Sequence, residues 1–310
     1  GMDKNRRILI AILAMVVFAV VLAIIQISIT MQRQMTIGTR INLTEGPGVG
    51  IMRVYGRIEA TGDMMAQANA DYIVKRLDAL AQDSRIRAIV IRINSPGGTV
   101  AATQEIYAKI LSLRKKNIPI IASMGDVAAS GGYYIASACN AIVVNYGTIT
   151  GSIGVIAMAP NLKGLFDKLG IRMNVIKSGR YKDILAMHRE ISPEELQLIQ
   201  QIIDSSYQKF VHDVAAGRNM AVSDIMPYAD GRVFTGNQAV EYKLADELGS
   251  YDDAVNKART LAKLPVDSAV YDDTASPIER LLMTMSSFFK PKLEQMVNSQ
   301  YSLVEYSYMP

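Results

Sequence analysis

Cysteine is almost absent from this 310-residue chain, where Cys139 is the only one. A single thiol excludes an internal disulfide and any zinc site built on several cysteines. With Ile135, Ala136, Ser137 and Ala138 ahead of it, Cys139 reads as a small buried apolar residue. Histidine is nearly as scarce: His188 and His212 are the whole supply. A Ser-His-Asp arrangement is open to the chain but poorly supported, since neither histidine lies in a glycine-rich turn and His212 falls inside a long helical pattern. Charge of one sign is also lacking. The 33 Lys and Arg against 29 Asp and Glu leave a net charge of +4. Their interleaving describes a solvated surface, with no nucleic-acid footprint. There is no internal repeat or low-complexity tract, and no cofactor or metal is expected.

What the chain does have is one long apolar run. Ile8 to Ile25 is unbroken over 18 residues, long enough to cross a bilayer as a helix. Lys4, Arg6 and Arg7 precede it, which predicts a cytoplasmic N-terminus (residues 1–7), a membrane anchor over 8–30 and a main domain on the outer face. A cleavable signal peptide would have a shorter core and a small-x-small site, and Gln32-Arg33-Gln34-Met35 offers none. The expected location is therefore the cell membrane, crossed once, with lipid as one partner.

Residues 31–48 read as a linker, and 49–265 as the main domain. Strands are expected near Gly50–Ile58, Ala88–Ile93, Ile118–Met124, Ala141–Val144 and Ile171–Ile176. Helices are expected over Met64–Ala81, up to about Leu113, from Ser130, and near Leu162–Leu169. Gly125–Ala129 reads as a turn. Apolar strands alternating with helices imply an α/β fold with a mainly parallel sheet. From Ser192 the pattern turns helical. Ser192/Glu195, Thr235/Gln238 and Ser250/Asp253 have the spacing of capping boxes, and Leu196, Ile199, Ile203, Tyr207, Phe210 and Val214 form one stripe. Val266–Ser276 reads as irregular, followed by an amphipathic segment and tail that complete residues 266–310.

Two turns carry candidate chemistry. In Ala128-Ala129-Ser130-Gly131-Gly132, a serine at a strand-to-helix turn is flanked by residues with little side chain, and the Gly131 N–H at a helix start suits an oxyanion. Asn94-Ser95-Pro96-Gly97-Gly98 breaks the chain at a strand's C-terminal end, where open α/β sheets place their sites. An N–H of Gly97 or Gly98 would be a second donor. A serine hydroxyl needs a base. Lys177 and Lys182 both follow the last expected strand, and a lysine serves when it is neutral.

Met124–Tyr134 resembles the nucleophile motif of the bacterial signal peptide peptidase A (protease IV) family. Ser178–Asp183 is similar to its general-base motif, and Asn94–Gly98 to its oxyanion turn. Thr150–Val155 and Asp230–Gly236 match in order and approximate spacing. The resemblance covers about Gly50 to Ala262, and one copy of each motif is similar to the short, Gram-positive-like members. It implies a ClpP/crotonase-like fold of repeated ββα/βαβ units with C-terminal helices, assembled into a homo-oligomeric ring. Ser130 is implied as nucleophile, Lys182 as base, Gly97 and Gly131 as oxyanion donors, and Ser152 as a hydrogen-bond partner of Lys182, with a neighbouring subunit as a possible source of the lysine. The implied substrates are cleaved signal peptides. Leu185-Ala186-Met187-His188 departs from the family's more polar, Pro-containing stretch.

Two other readings compete: a crotonase-like acyl-CoA enzyme, and a non-catalytic membrane-tethered ring scaffold. A lysine base predicts activity that rises toward alkaline pH, because an ordinary lysine titrates near about 10.4. The apolar tail Tyr301–Met309 suits a groove that binds extended peptides by strand addition, as substrate or plug. The alternatives for it are packing on a neighbour or disorder.

Overall fold

The computed structural model describes residues 46–60, 68–272 and 305–307, the last three as backbone. The expected anchor and amphipathic segment lie outside these residues, and no helix among the described ones is long and apolar enough to cross a membrane.

Alternating side-chain direction along the strands organises the core. In β1 (Gly48–Tyr55) and β2 (Ile86–Ser95), Met52, Val54, Ile89, Ile91 and Ile93 point to one face, while Val49, Ile51, Ala88 and Val90 point to the other. The first face is covered by α1 (Ala70–Gln82), α2 (Val100–Lys115), α3 (Gly131–Ser137) and the C-terminal half of α5 (Pro193–Arg218). The second is covered by α8 (Tyr251–Leu261) through Ala254, Val255 and Ala258. Helix α1 shows the cause at residue level. Ile73, Leu77 and Leu80 recur at helical spacing and are buried, and Asn69 caps the first turn by accepting from the Tyr72 N–H at 3.0 Å.

Eight strands make one sheet among the described residues, with the path β7-β6-β4-β2-β1-β9. Strand β4 (Ile120–Ala129) forks. Its first half pairs in parallel with β5 (Ala141–Val144), and its last three residues pair with β6 (Ile149–Gly151). Strand β5 also pairs with β8 (Glu247–Leu248), and β7 (Val233–Thr235) closes the β6 edge antiparallel. The remaining helices are α4 (Lys163–Leu169), α6 (Val222–Ile225) and α7 (Gly236–Glu241).

Four expectations change. Gly125–Ala129 is strand, not turn. The register passes from Ile93↔Met124 to Ser95↔Ala128, so β4 bulges by two residues, and the Asn94 Oδ1 accepts from the Val127 N–H at 3.0 Å. Ile171–Ile176 has a strand's alternation but no ladder partner among the described residues, and it is exposed. Val266–Ser276 is partly strand: β9 (Ala269–Asp272) extends the sheet in parallel beside β1. In α5, Leu196 is exposed, because only the C-terminal half of that helix reaches the core.

The tail forms β10 (Glu305–Ser307), antiparallel to β3 (Gly97–Thr99), with Tyr306 opposite Gly98. The Gly97 carbonyl and Thr99 N–H bond Ile58 on one edge, at 2.8 and 2.9 Å. Strand alternation therefore turns the Gly98 N–H and C=O to the other edge, where Tyr306 lies.

Candidate active site

Ser130 stands between the last residue of β4 and the first of α3, with φ 52° and ψ −116°. Such a backbone conformation costs a non-glycine residue about 1–3 kcal/mol and persists only where its surroundings over-determine it. They do so here. The Ser130 N–H donates to the Gly151 carbonyl at 2.8 Å, and its own carbonyl accepts from the Tyr134 N–H at 2.8 Å. The residue is 1% exposed, and its Oγ has no hydrogen-bond partner among the described residues. A buried hydroxyl without a partner is costly, so it marks a group held ready for something else.

Helix α3 is fixed from below by two tyrosines. Tyr133 donates its hydroxyl to the Leu244 carbonyl at 2.9 Å, and burial raises its pKa. Tyr134 bonds Asp213 of α5 and packs edge-on against Phe210, with ring centroids 4.9 Å apart. Tyr133→Phe orphans the Leu244 carbonyl. We expect a loss of about 1–3 kcal/mol, read as a lower midpoint in thermal or denaturant unfolding; an unchanged midpoint would show that α3 does not depend on this bond.

The glycine turn lies against the serine turn. A Cβ placed on Gly131 would lie 3.1 Å from the Gly97 Cα and 3.1 Å from the Gly98 N, so the two turns lie close and any side chain there would crowd the glycine turn. The Gly131 N–H opens α3 and belongs to the helix's orphan donors. The Gly97 N–H donates to the buried Ser95 Oγ at 3.1 Å. Ser152 is buried directly after the Gly151 whose carbonyl holds Ser130, also at φ 52°, and its N–H bonds the Arg232 carbonyl at 2.7 Å. The pairing of β6 with β7 thus joins the Thr150–Val155 and Asp230–Gly236 segments at the serine.

The structure therefore brings Ser130, Gly131, Gly97 and Ser152 together. It leaves Lys182 apart. Lys182 is exposed on an irregular stretch between α4 and α5, and no hydrogen bond joins it to Ser130. His188 is half-buried on the same stretch, and His212 is exposed on α5. Cys139 is buried as expected, and burial pushes its thiol pKa up to about 12, which leaves it unreactive. Sequence reasoning missed Arg189, which donates to both Asp183 and Glu195. The only available signal was Glu195, read there as a helix cap.

Comparison with known proteins places this geometry. Residues 112–265 match the model of peptidase family S49, and residues 54–143 match that of Clp protease. A putative protease, slr0021, of Synechocystis is 48% identical over 221 residues, covering 71% of this chain and 79% of the relative. A putative signal peptide peptidase SppA of Enterococcus faecium is 37% identical over 69% of this chain and 63% of its own length. Protease 4 of Salmonella typhi is 31% identical over 82% of this chain but only 41% of its own length. A 1510-N membrane-bound stomatin-specific protease, solved as a mutant with a substrate peptide, shares the fold at a TM-score of 0.50 and 17% identity, covering 78% of this chain and 99% of that one. The serine turn, the glycine turn against it and the match over most of the Synechocystis protein lead to one conclusion: the chain belongs to peptidase family S49.

Proposed function

We propose that this protein is a membrane-anchored serine endopeptidase that cleaves remnant signal peptides and other unstructured apolar peptides with a Ser130/Lys182 dyad. One observation carries the reading: the buried Ser130 Oγ, without a hydrogen-bond partner among the described residues, on a strained turn whose next residue, Gly131, lies close to the Gly97–Gly98 backbone. The names of the Enterococcus and Salmonella relatives agree with peptidase activity. The apolar run Ile8–Ile25, with Lys4, Arg6 and Arg7 before it, supports anchoring in the cell membrane with the catalytic domain outside.

The chemistry follows from these atoms. Neutral Lys182 Nζ takes the Ser130 Oγ proton as Oγ bonds the peptide carbonyl carbon. The displaced electron pair moves to oxygen, held by the N–H of Gly131 and by that of Gly97 once released from Ser95. Collapse breaks the C–N bond, and the Lys182 ammonium returns its proton to the leaving amine. Water repeats the cycle on the acyl-enzyme. The substrate lies along β3 as an added strand, in the place that β10 takes.

Lys182 reaches Ser130 from a neighbouring copy in a homo-oligomeric ring. Two features support this. The lysine is exposed on its own chain, and the stretch before it leaves Met158, Leu165, Leu169, Met173 and Ile176 exposed. That many large apolar side chains exposed along one stretch are the kind of surface an interface covers. Co-expression of Ser130→Ala with Lys182→Ala tests it. Sites shared across subunits combine the intact serine of one chain with the intact lysine of the other, so peptidase activity returns. No recovery in mixed assemblies would place both residues of each site on one chain.

A further inference from the structure

The segment from Ile171 to Ile191 has no helix and no ladder partner among the described residues, yet it carries the proposed base. Fixing such a chain costs about 1–2 kcal/mol per residue in backbone entropy, so something other than secondary structure must hold it. We propose that Arg189 is the positioning residue that locks this loop onto α5 and so sets where the Lys182 amine is presented. This inference rests on the reading of Lys182 as base.

The geometry is that of a clamp. The guanidinium of Arg189 donates to Asp183 three times: to Oδ2 at 3.1 Å, to Oδ1 at 3.0 Å and to the backbone carbonyl at 2.9 Å. On its other side it donates to Glu195 Oε1 at 2.6 Å and Oε2 at 2.8 Å, and also to the Glu190 carbonyl at 3.0 Å. A planar fork is the one side chain that can serve two carboxylates in this way. Asp183 follows Lys182 directly. With its carboxylate and its carbonyl both held, the backbone next to the base has little freedom. Lys177 Nζ adds a second cation on Asp183 and bonds the Arg180 carbonyl at 2.9 Å, which closes the loop on itself.

The far end of the clamp is anchored. Glu195 is 4% exposed and forms the capping box of α5 with Ser192, accepting from the Ser192 N–H at 2.9 Å. Arg189 and that N–H hold its pKa at about 2, so the pair stays charged wherever the enzyme works. Helix α5 then runs into the core, where Phe210 meets Tyr134 of the serine's own helix. An exposed ion pair would contribute little. Here one carboxylate is buried and the other mostly so, and the fork ties a loop without secondary structure to the folded body of its own subunit, from which Lys182 is presented to the Ser130 of the neighbouring copy.

The test uses the full-length assembled protein and a fluorogenic apolar peptide. Arg189→Met lowers kcat on the order of 10²-fold with KM changed less than about twofold, since a base displaced by an ångström loses the transition state and leaves substrate binding intact. Arg189→Lys recovers part of the loss, because one ammonium cannot hold both carboxylates. Asp183→Asn removes the loop-side anchor, keeps the Arg189–Glu195 pair, and lowers kcat in the same direction. These last two decide the matter if Arg189→Met does not fold. Wild-type kcat in both overturns the inference. A Lys182→Ala enzyme with full activity would instead sink the reading of Lys182 as base, whatever Arg189 does.

Discussion

Ser130→Ala lowers kcat/KM on an unstructured apolar peptide by roughly 10⁴-fold or more, and Lys182→Ala does the same. The size of the effect follows from the site. Ser130 is the group placed at the meeting of two glycine backbones, and its Oγ has no hydrogen bond among the described residues that catalysis would have to break. Without it no acyl-enzyme forms. Without a base the hydroxyl remains a weak nucleophile. Both variants fold, because the alanines remove no hydrogen bond that the described structure depends on. The two losses do not add: the double variant matches either single one, as expected of groups acting as a unit. His188→Ala and His212→Ala retain activity. A serine-directed probe reads the same chemistry, labelling the wild type at Ser130 and the Lys182→Ala protein far more slowly. More than trace turnover by Ser130→Ala would remove the nucleophile from the mechanism.

Gly98→Ala is expected to damage both stability and activity. Its Cβ would lie 1.8 Å from the Ile58 carbonyl oxygen and 2.6 Å from the Ile58 N, all backbone atoms that cannot swing aside. Strand β3 must then part from Ile58, which loosens the bonds at 2.8 and 2.9 Å between them. Overpacking of this kind costs about 1–3 kcal/mol, visible as a lower unfolding midpoint. The glycine turn also moves against Gly131, so the oxyanion donors lose their alignment, and we expect kcat to fall on the order of 10²-fold. Gly147→Ala is the control: beyond its chain neighbours no atom lies within 4 Å of its added Cβ, and surface changes of that kind stay within about 0.5 kcal/mol. A Gly98→Ala enzyme with wild-type stability and rate would show that β3 does not need the close approach.

Features decided by neighbours in sequence were legible. Ala141–Val144 is a strand as read. The boxes at Ser192, Thr235 and Ser250 all form, because a cap needs only a hydroxyl and a partner three residues on. The serine turn was marked by its small neighbours and by the family resemblance, although its conformation is held by the distant Gly151. Features decided by distant partners were not. Gly125–Ala129 looks like a turn until Asn94 reaches across to Val127. Ala269–Asp272 becomes a strand only because the edge of β1 is open to it. Ile171–Ile176 has the alternation of a strand and no strand beside it among the described residues. Arg189 carried no signal of its own, since its meaning depends on Asp183 and Glu195 converging on it.

The fork in β4 has a consequence for motion. The end of that strand is gripped by β2 on one side and β6 on the other, and the Ser130 N–H itself continues the ladder to Gly151. We expect amide protons there to exchange with solvent only through large-scale opening, whereas the loop carrying Lys182 has no ladder partner among the described residues and is expected to open at lower cost. The two halves of the proposed dyad therefore belong to regions with very different lifetimes. Hydrogen exchange is therefore expected to be slowest around the Ser130 turn and faster in the loop, where the Arg189 contacts are the restraint that limits opening.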